Sequence, residues 1–276
     1  VHARAAQNPG AMPVSLDLTG YRLLVVGASS GIGRAAGLLA SRAGARVAFA
    51  ARRKQRLAEA VTEASGEAIA VVCDVRSERE CAGAVAEAAG ALGGLDALLY
   101  TAGMSPLGLL ATATQAEWQT VLETNLVGAA LVTAAAIPHL RASGGRAVYV
   151  SSYSVRQPLP GLGLYRVSKV ALDALIEAYR AEYPEIEFTR VVLGNTNGTE
   201  FARHWGRERT EEVTRAWIER GLFPAPTMMP VDTAAEALVS VLALRGFVDD
   251  VAVMPRPRDP EARIVAQGGE PERGRS

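Results

Sequence analysis

The chain reads as an α/β protein: a single domain on one parallel sheet of seven strands, with helices on both faces and a small helical substrate lid. Three observations predict this. Short apolar runs recur along the 276 residues, each bounded by Gly or polar residues. Between them lie stretches with apolar residues at helical spacing. The two kinds alternate almost to the end, as in parallel strands joined by crossover helices that cover both sheet faces.

The predicted strands are Tyr21–Val26, Arg46–Ala50, Ala68–Cys73, Ala97–Tyr100, Arg146–Val150, Glu187–Val192 and Val248–Met254. Helical spacing falls at about 31–43, 53–65, 77–91, 114–141, 165–183 and 231–245. Residues 197–230, with Phe201, His204, Trp205, Trp217 and Phe223, break the alternation and read as the lid. Residues 1–15 lack periodicity and read as a flexible leader, with Met12 as an alternative start to Val1. Residues 255–276 turn to Pro, Arg, Glu and Gly, a flexible tail. The domain then spans 16–254.

Composition narrows the function classes. Hydrophobic residues make up 49% and charged residues 21%, an ordinary globular balance. Lys plus Arg equals Asp plus Glu, 29 each, so no basic excess points to nucleic acid. No uninterrupted apolar run approaches the roughly 18 residues of a membrane span, and residues 1–15 carry no apolar signal core. The expectation is a cytoplasmic protein without a membrane partner. Cys73 and Cys81 read as reduced thiols rather than a disulfide. His2, His139 and His204 form no metal-ligand pattern, so no metal site is expected.

Two stretches carry chemistry. Gly27-Ala28-Ser29-Ser30-Gly31-Ile32-Gly33 follows the first strand and opens the first helix. Glycines let backbone approach a pyrophosphate at a helix N-terminus, where N–H groups and the positive dipole end favour an anion. The spacing is Gly-x3-Gly-x-Gly rather than the commoner Gly-x-Gly-x-x-Gly. The second stretch is Tyr165-Arg166-Val167-Ser168-Lys169. Four residues are about one helical turn, so Tyr165 and Lys169 share a face. An ammonium beside a phenol lowers its pKa from about 10, which suits a proton donor and acceptor for an alcohol/carbonyl pair.

Gly27-x3-Gly31-Ile32-Gly33, Asn125, Ser152 and Tyr165-x3-Lys169, in that order and with Ser152 thirteen residues before Tyr165, resemble the short-chain dehydrogenase/reductase family. The resemblance covers about 17–254. It implies a Rossmann-type domain, a nicotinamide cofactor, and interconversion of a secondary alcohol with a ketone or aldehyde. It also implies roles. Tyr165 is the acid/base, Ser152 holds the reacting oxygen, and Lys169 lowers the Tyr165 pKa and grips the nicotinamide ribose. Asn125 holds a water that links Lys169 to solvent. Ser29, Ser30 and Ile32 belong to the phosphate loop; Asp74 and Val75 lie at the adenine, with a helix cap near Ser77 as the other role for Asp74. Ala102 and Gly103 lie beside the cofactor, and Gly194 and Thr196 meet the nicotinamide amide. Helices near 114–141 and 165–183 imply a homodimer or homotetramer.

The end of the second strand bears on the cofactor. Ala51 stands where an NAD enzyme places an acid for the ribose 2′-hydroxyl, and Arg52-Arg53 follow. An Arg fork suits a 2′-phosphate, so NADP(H) is expected over NAD(H). The chain departs from the family at three places: Val26 before the glycine loop, Tyr100-Thr101 for Asn-Asn, and Leu193-Gly194 for Pro-Gly with Thr199 shifted by one position. None removes a catalytic group. The alternative is a catalytically idle dinucleotide-binding sensor or scaffold.

Overall fold

The structure is a computed structural model that describes residues 16–202, 205–220, 222 and 228–255. The expected leader, the tail beyond Pro255, Arg203, His204 and Phe223 lie outside the described residues. Seven strands form one sheet: β1 Arg22–Val26, β2 Arg46–Ala51, β3 Ala68–Val72, β4 Ala97–Tyr100, β5 Arg146–Ser152, β6 Glu187–Leu193 and β7 Asp250–Val253. Their order is β3-β2-β1-β4-β5-β6-β7, and every pairing is parallel. The order reverses between β1 and β4, which opens a crevice at the carboxyl ends of those strands.

Alternation along each strand builds two cores. Leu23 and Val25 of β1 face one layer with Val47, Phe49 and Leu99; Leu24 and Val26 face the other with Ala48, Leu98 and Tyr100. The period of two sends successive side chains to opposite faces. Helices α1 (Gly31–Arg42), α2 (Lys54–Glu63) and α8 (Val231–Ala243) cover the first face. Helices α3 (Glu78–Leu92), α5 (Gly128–Ser143) and α6 (Gly163–Glu182) cover the second. Burial of a Leu or Phe side chain is worth about 1.5–3 kcal/mol, so these layers hold the sheet edge rigidly.

The predicted helix over 114–141 differs in kind. It is α4 (Gln115–Leu122), a π-helical turn (Glu123–Val127) and α5 in continuous succession. Thr114 caps α4 in a capping box with Glu117. The span 115–143 has a mean hydropathy of 1.6 in its most apolar window, enough by composition to cross a bilayer. Here Val132, Ala136, Ile137 and Leu140 lie in the core instead. Among the described residues of the lid region there is one helix, α7 (Arg207–Glu219). A Thr196–Met229 bridge ties the two ends of the insert together.

Candidate active site

Glycine shapes the loop after β1. Gly27 has φ +91°, and a Cβ there would lie 2.6 Å from the Ala102 nitrogen. A Cβ on Gly33 would run into the Thr101 hydroxyl and lie 2.7 Å from the Gly27 carbonyl. That hydroxyl donates to the Val26 carbonyl at 2.8 Å, so Thr101 ties β4 to β1 where the family pattern has Asn. Helix α1 begins at Gly31 with no side-chain cap and no acid in its first turn. Its first N–H groups and dipole therefore suit an anion, as a dinucleotide requires. The residues present fit a nicotinamide dinucleotide.

Two basic residues follow β2, and the structure separates them. Arg52 is exposed, and its charge acts on Asp74. Arg53 turns into the glycine loop, where Nη2 donates to Ser29 Oγ at 2.9 Å and Ser30 Oγ at 2.8 Å. Of the two arginines expected at the cofactor phosphate, Arg53 is the one on the loop. Asp74 pairs with Arg76 at 2.6 Å, and this guanidinium holds its carboxyl below the usual range. It does not cap α3: Ser77 does, accepting from the Glu80 amide. Val75 is buried beside Gly128, whose Cβ would meet it at 2.8 Å.

The four candidate catalytic residues converge beyond the carboxyl edge of β4 and β5. Ser152 ends β5, where its Oγ accepts from the Ser154 amide at 3.2 Å and bonds the Tyr165 hydroxyl. Tyr165 and Lys169 lie on the inward face of α6, both buried. Lys169 Nζ donates to the Val150 carbonyl at 2.7 Å and stands 5.8 Å from the Tyr165 ring centre. Asn125 sits in the π turn, fully buried, where its Oδ1 accepts from the Met104 amide at 2.8 Å. Its Nδ2 donates to the Met104 carbonyl and to Ser168 Oγ, both at 2.9 Å. The wider turn brings Asn125 to that place, and π turns often mark functional sites. A Cβ on Gly103 would lie 3.5 Å from Asn125 Oδ1 and 3.6 Å from Lys169 Nζ, so Gly103 and the adjoining Ala102 leave a small-residue floor beside the lysine.

Burial dominates the electrostatics of the Tyr165–Lys169 pair. Burial pushes the Tyr165 phenol up to about 12, and the Ser152 hydrogen bond only partly offsets this. Burial outweighs any lowering by Lys169, whose ammonium donates to the Val150 carbonyl. Lys169 itself falls to about 8 because its charge is buried, with Asp173 one turn on pulling the other way. Near neutrality Tyr165 is thus a neutral hydroxyl with a proton to give.

The lid covers this site with aromatic rings. Phe201 meets Tyr165 edge-on at 5.1 Å and Trp205 stacks edge-on against Phe201 at 5.5 Å. The indole nitrogens of Trp205 and Trp217 donate to the carbonyls of Ser105 (2.9 Å) and Pro160 (2.7 Å). Leu107, Leu162 and Val213 form a small separate core beneath. Thr196 turns back, its hydroxyl donating to the Gly194 carbonyl at 3.0 Å. A Cβ on Gly194 would lie 2.7 Å from Pro255.

The comparisons agree with this architecture. A family model described as short chain dehydrogenase matches residues 22–210. The chain belongs to the short-chain dehydrogenase family. An 11-beta-hydroxysteroid dehydrogenase-like 2 protein of Arabidopsis thaliana is 35% identical over 185 residues, covering 64% of this chain and 60% of that protein. Dehydrogenase/reductase SDR family member 4 of Bos taurus is 35% identical over 167 residues, covering 59% and 60%. The matches therefore span about three-fifths of each relative's length. Among solved structures, a short-chain type dehydrogenase/reductase from Mycobacterium marinum has a TM-score of 0.75 at 26% identity, covering 87% and 96%. An alcohol dehydrogenase from Thermococcus sibiricus complexed with 5-hydroxy-NADP has a TM-score of 0.74 at 23% identity, covering 87% and 98%, a likeness of fold.

Proposed function

We propose that this short-chain dehydrogenase interconverts a secondary alcohol with a ketone or aldehyde, and that it prefers NADP(H). The observation that carries the reading is the hydrogen-bonded Ser152–Tyr165 pair, with Lys169 and Asn125 behind it. The bound cofactor supplies or accepts the hydride. In reduction, the neutral Tyr165 hydroxyl gives its proton to the substrate oxygen as negative charge develops there. Ser152 Oγ is placed to hold the same oxygen and to pass its hydrogen bond from Tyr165 to substrate. Lys169, one turn away, favours the phenolate left behind and draws it toward a reactive range. Asn125 fixes the strand-to-helix spacing by bridging Met104 and Ser168, whose hydroxyl in turn donates to the Tyr165 carbonyl at 2.7 Å.

Arg53 in the glycine loop, with Arg52 beside it, supports the phosphate-bearing cofactor. The lid rings and the Leu107–Leu162 patch support a bulky apolar substrate, and relatives with hydroxysteroid dehydrogenase-like names agree in kind. Val127, Val167 and Val170 leave an apolar face exposed on the π turn and α6, which supports self-association there as a homodimer or homotetramer. The free thiols Cys73 and Cys81 suit a reducing, cytoplasmic setting.

The test is oxidation of NADPH by purified protein against a panel of apolar ketones. Turnover that disappears in Tyr165→Phe, while NADPH still binds, supports the assignment. Binding without turnover of any carbonyl compound would favour an idle dinucleotide-binding protein.

A further inference from the structure

The segment Thr199-Glu200-Phe201 crosses both halves of the site at once. Thr199 lies over Gly31, where an added Cβ would stand 3.6 Å from it. Phe201 lies on Tyr165. Between them Glu200 reaches into the glycine loop. Its Oε1 accepts from Arg53 Nη1 at 3.1 Å, its Oε2 from Ser30 Oγ at 3.1 Å, and Arg53 Nη2 stands 2.8 Å from Oε2. A guanidinium fork engaging two oxygens of a carboxylate is also the geometry by which Arg takes two oxygens of a phosphate.

We propose that the Glu200 carboxylate is a built-in competitor for the cofactor's 2′-phosphate, and that NADP(H) must displace the strap 199–201 to bind. The inference rests on the NADP(H) reading above. Arg53 stands at the end of β2, the strand whose end receives the adenosine ribose in this fold. A cofactor phosphate arriving there takes over the Arg53 fork and the Ser30 hydroxyl. Glu200 then leaves with its neighbours, and Phe201 lifts from Tyr165. Tyr165 is only 8% exposed while the strap is down, so the same displacement uncovers the phenol. The contact is partly exposed, 34% for Arg53 and 39% for Glu200, so the competition is modest. A charge pair of that exposure changes affinity by up to roughly fivefold.

The experiment is titration of wild type, Glu200→Gln and Glu200→Asp with NADPH and with NADH, followed by the fluorescence of the reduced nicotinamide. Glu200→Gln keeps the shape and removes the charge at a surface position. Expected is NADPH binding two- to fivefold tighter in Glu200→Gln, with NADH unchanged and Glu200→Asp lying nearer wild type. No gain for NADPH in Glu200→Gln would overturn the proposal, and so would an equal gain for both cofactors. The wild-type titration alone decides the underlying cofactor reading. If wild type prefers NADH, that reading fails whatever the variant does; if it prefers NADPH and Glu200→Gln does not tighten, the strap fails alone.

Discussion

Ser152, Tyr165 and Lys169 stand on elements that the backbone holds in place: β5 is paired on both sides, and α6 packs Leu172 and Ile176 into the core. The lid is held differently. It rests on the body through side chains, by two indole hydrogen bonds, a Phe201–Tyr165 contact, a small apolar cluster and the Glu200–Arg53 pair. Each such contact is worth on the order of 1 kcal/mol. The difference teaches where precision and adaptability lie. Proton transfer needs atoms fixed within a fraction of an ångström, and the sheet edge supplies that. On the proposed function, admission of ligands needs an element that moves at small cost, and the more weakly held lid is the element suited to it.

The comparison breaks most sharply at Tyr165. Tyr165→Phe removes the transferable proton and leaves the ring against Phe201, so turnover should fall roughly a hundred- to ten-thousandfold with NADPH affinity nearly unchanged. Equal losses in both would move Tyr165 from chemistry to cofactor binding.

Lys169 tests the rigid side through stability. Its pKa drops from 10.5 to about 8 on folding, so the unfolded chain binds the proton more tightly in between. Stability from this group is fully present above pH 10.5 and is lost as pH falls through about 8. The drop corresponds to on the order of 3 kcal/mol. Lys169→Met should therefore be inactive, yet more stable than wild type at pH 7, with the advantage fading toward pH 10. Denaturant melts of both proteins across that range measure it, and a constant difference at every pH would refute the buried charge.

On the lid side, Arg53→Ala should weaken NADPH binding roughly tenfold by removing a charge-assisted fork, while NADH changes little. Trp217→Phe, the smallest change, removes one hydrogen bond to Pro160. It should cost about 0.5–1.5 kcal/mol and raise KM for the carbonyl substrate more than it lowers kcat. If kcat falls as much as kcat/KM, the lid takes part in positioning the reacting atoms and the contrast softens.

What was legible in the chain divides along the same line. The strands could be read because burial on both sheet faces demands continuous apolar runs, and Leu23–Val26 or Ala97–Tyr100 are such runs. The glycine loop and the Tyr165–Lys169 turn could be read because their spacing is local. The π turn at Glu123–Val127 could not, since a widened turn has the same composition as the helix around it. Nor could the choice between Arg52 and Arg53 be read, because adjacent residues leave a strand in opposite directions and the strand's last residue decides which faces the loop. The Glu200–Arg53 pair spans 147 positions, and no local pattern announces it. Burial likewise overrode the expected effect of Lys169 on Tyr165, a balance that distance along a helix does not reveal.

The π turn has one more consequence. Each residue in a helix turns the chain by about 100°, so the extra residue accommodated at Glu123–Val127 sets the clocking of α4 against α5. Glu117 on α4 points at the lid in that phase and pairs with Arg209 of α7 at 2.8 Å. Deleting a single residue from 123–127 would carry Glu117 through about 100° and away from Arg209, while α5 stays seated in the core. The same turn that brings Asn125 to Ser168 thus aims the outer end of the rod at α7, and the lid helix inherits its bearing from a helical irregularity across the site.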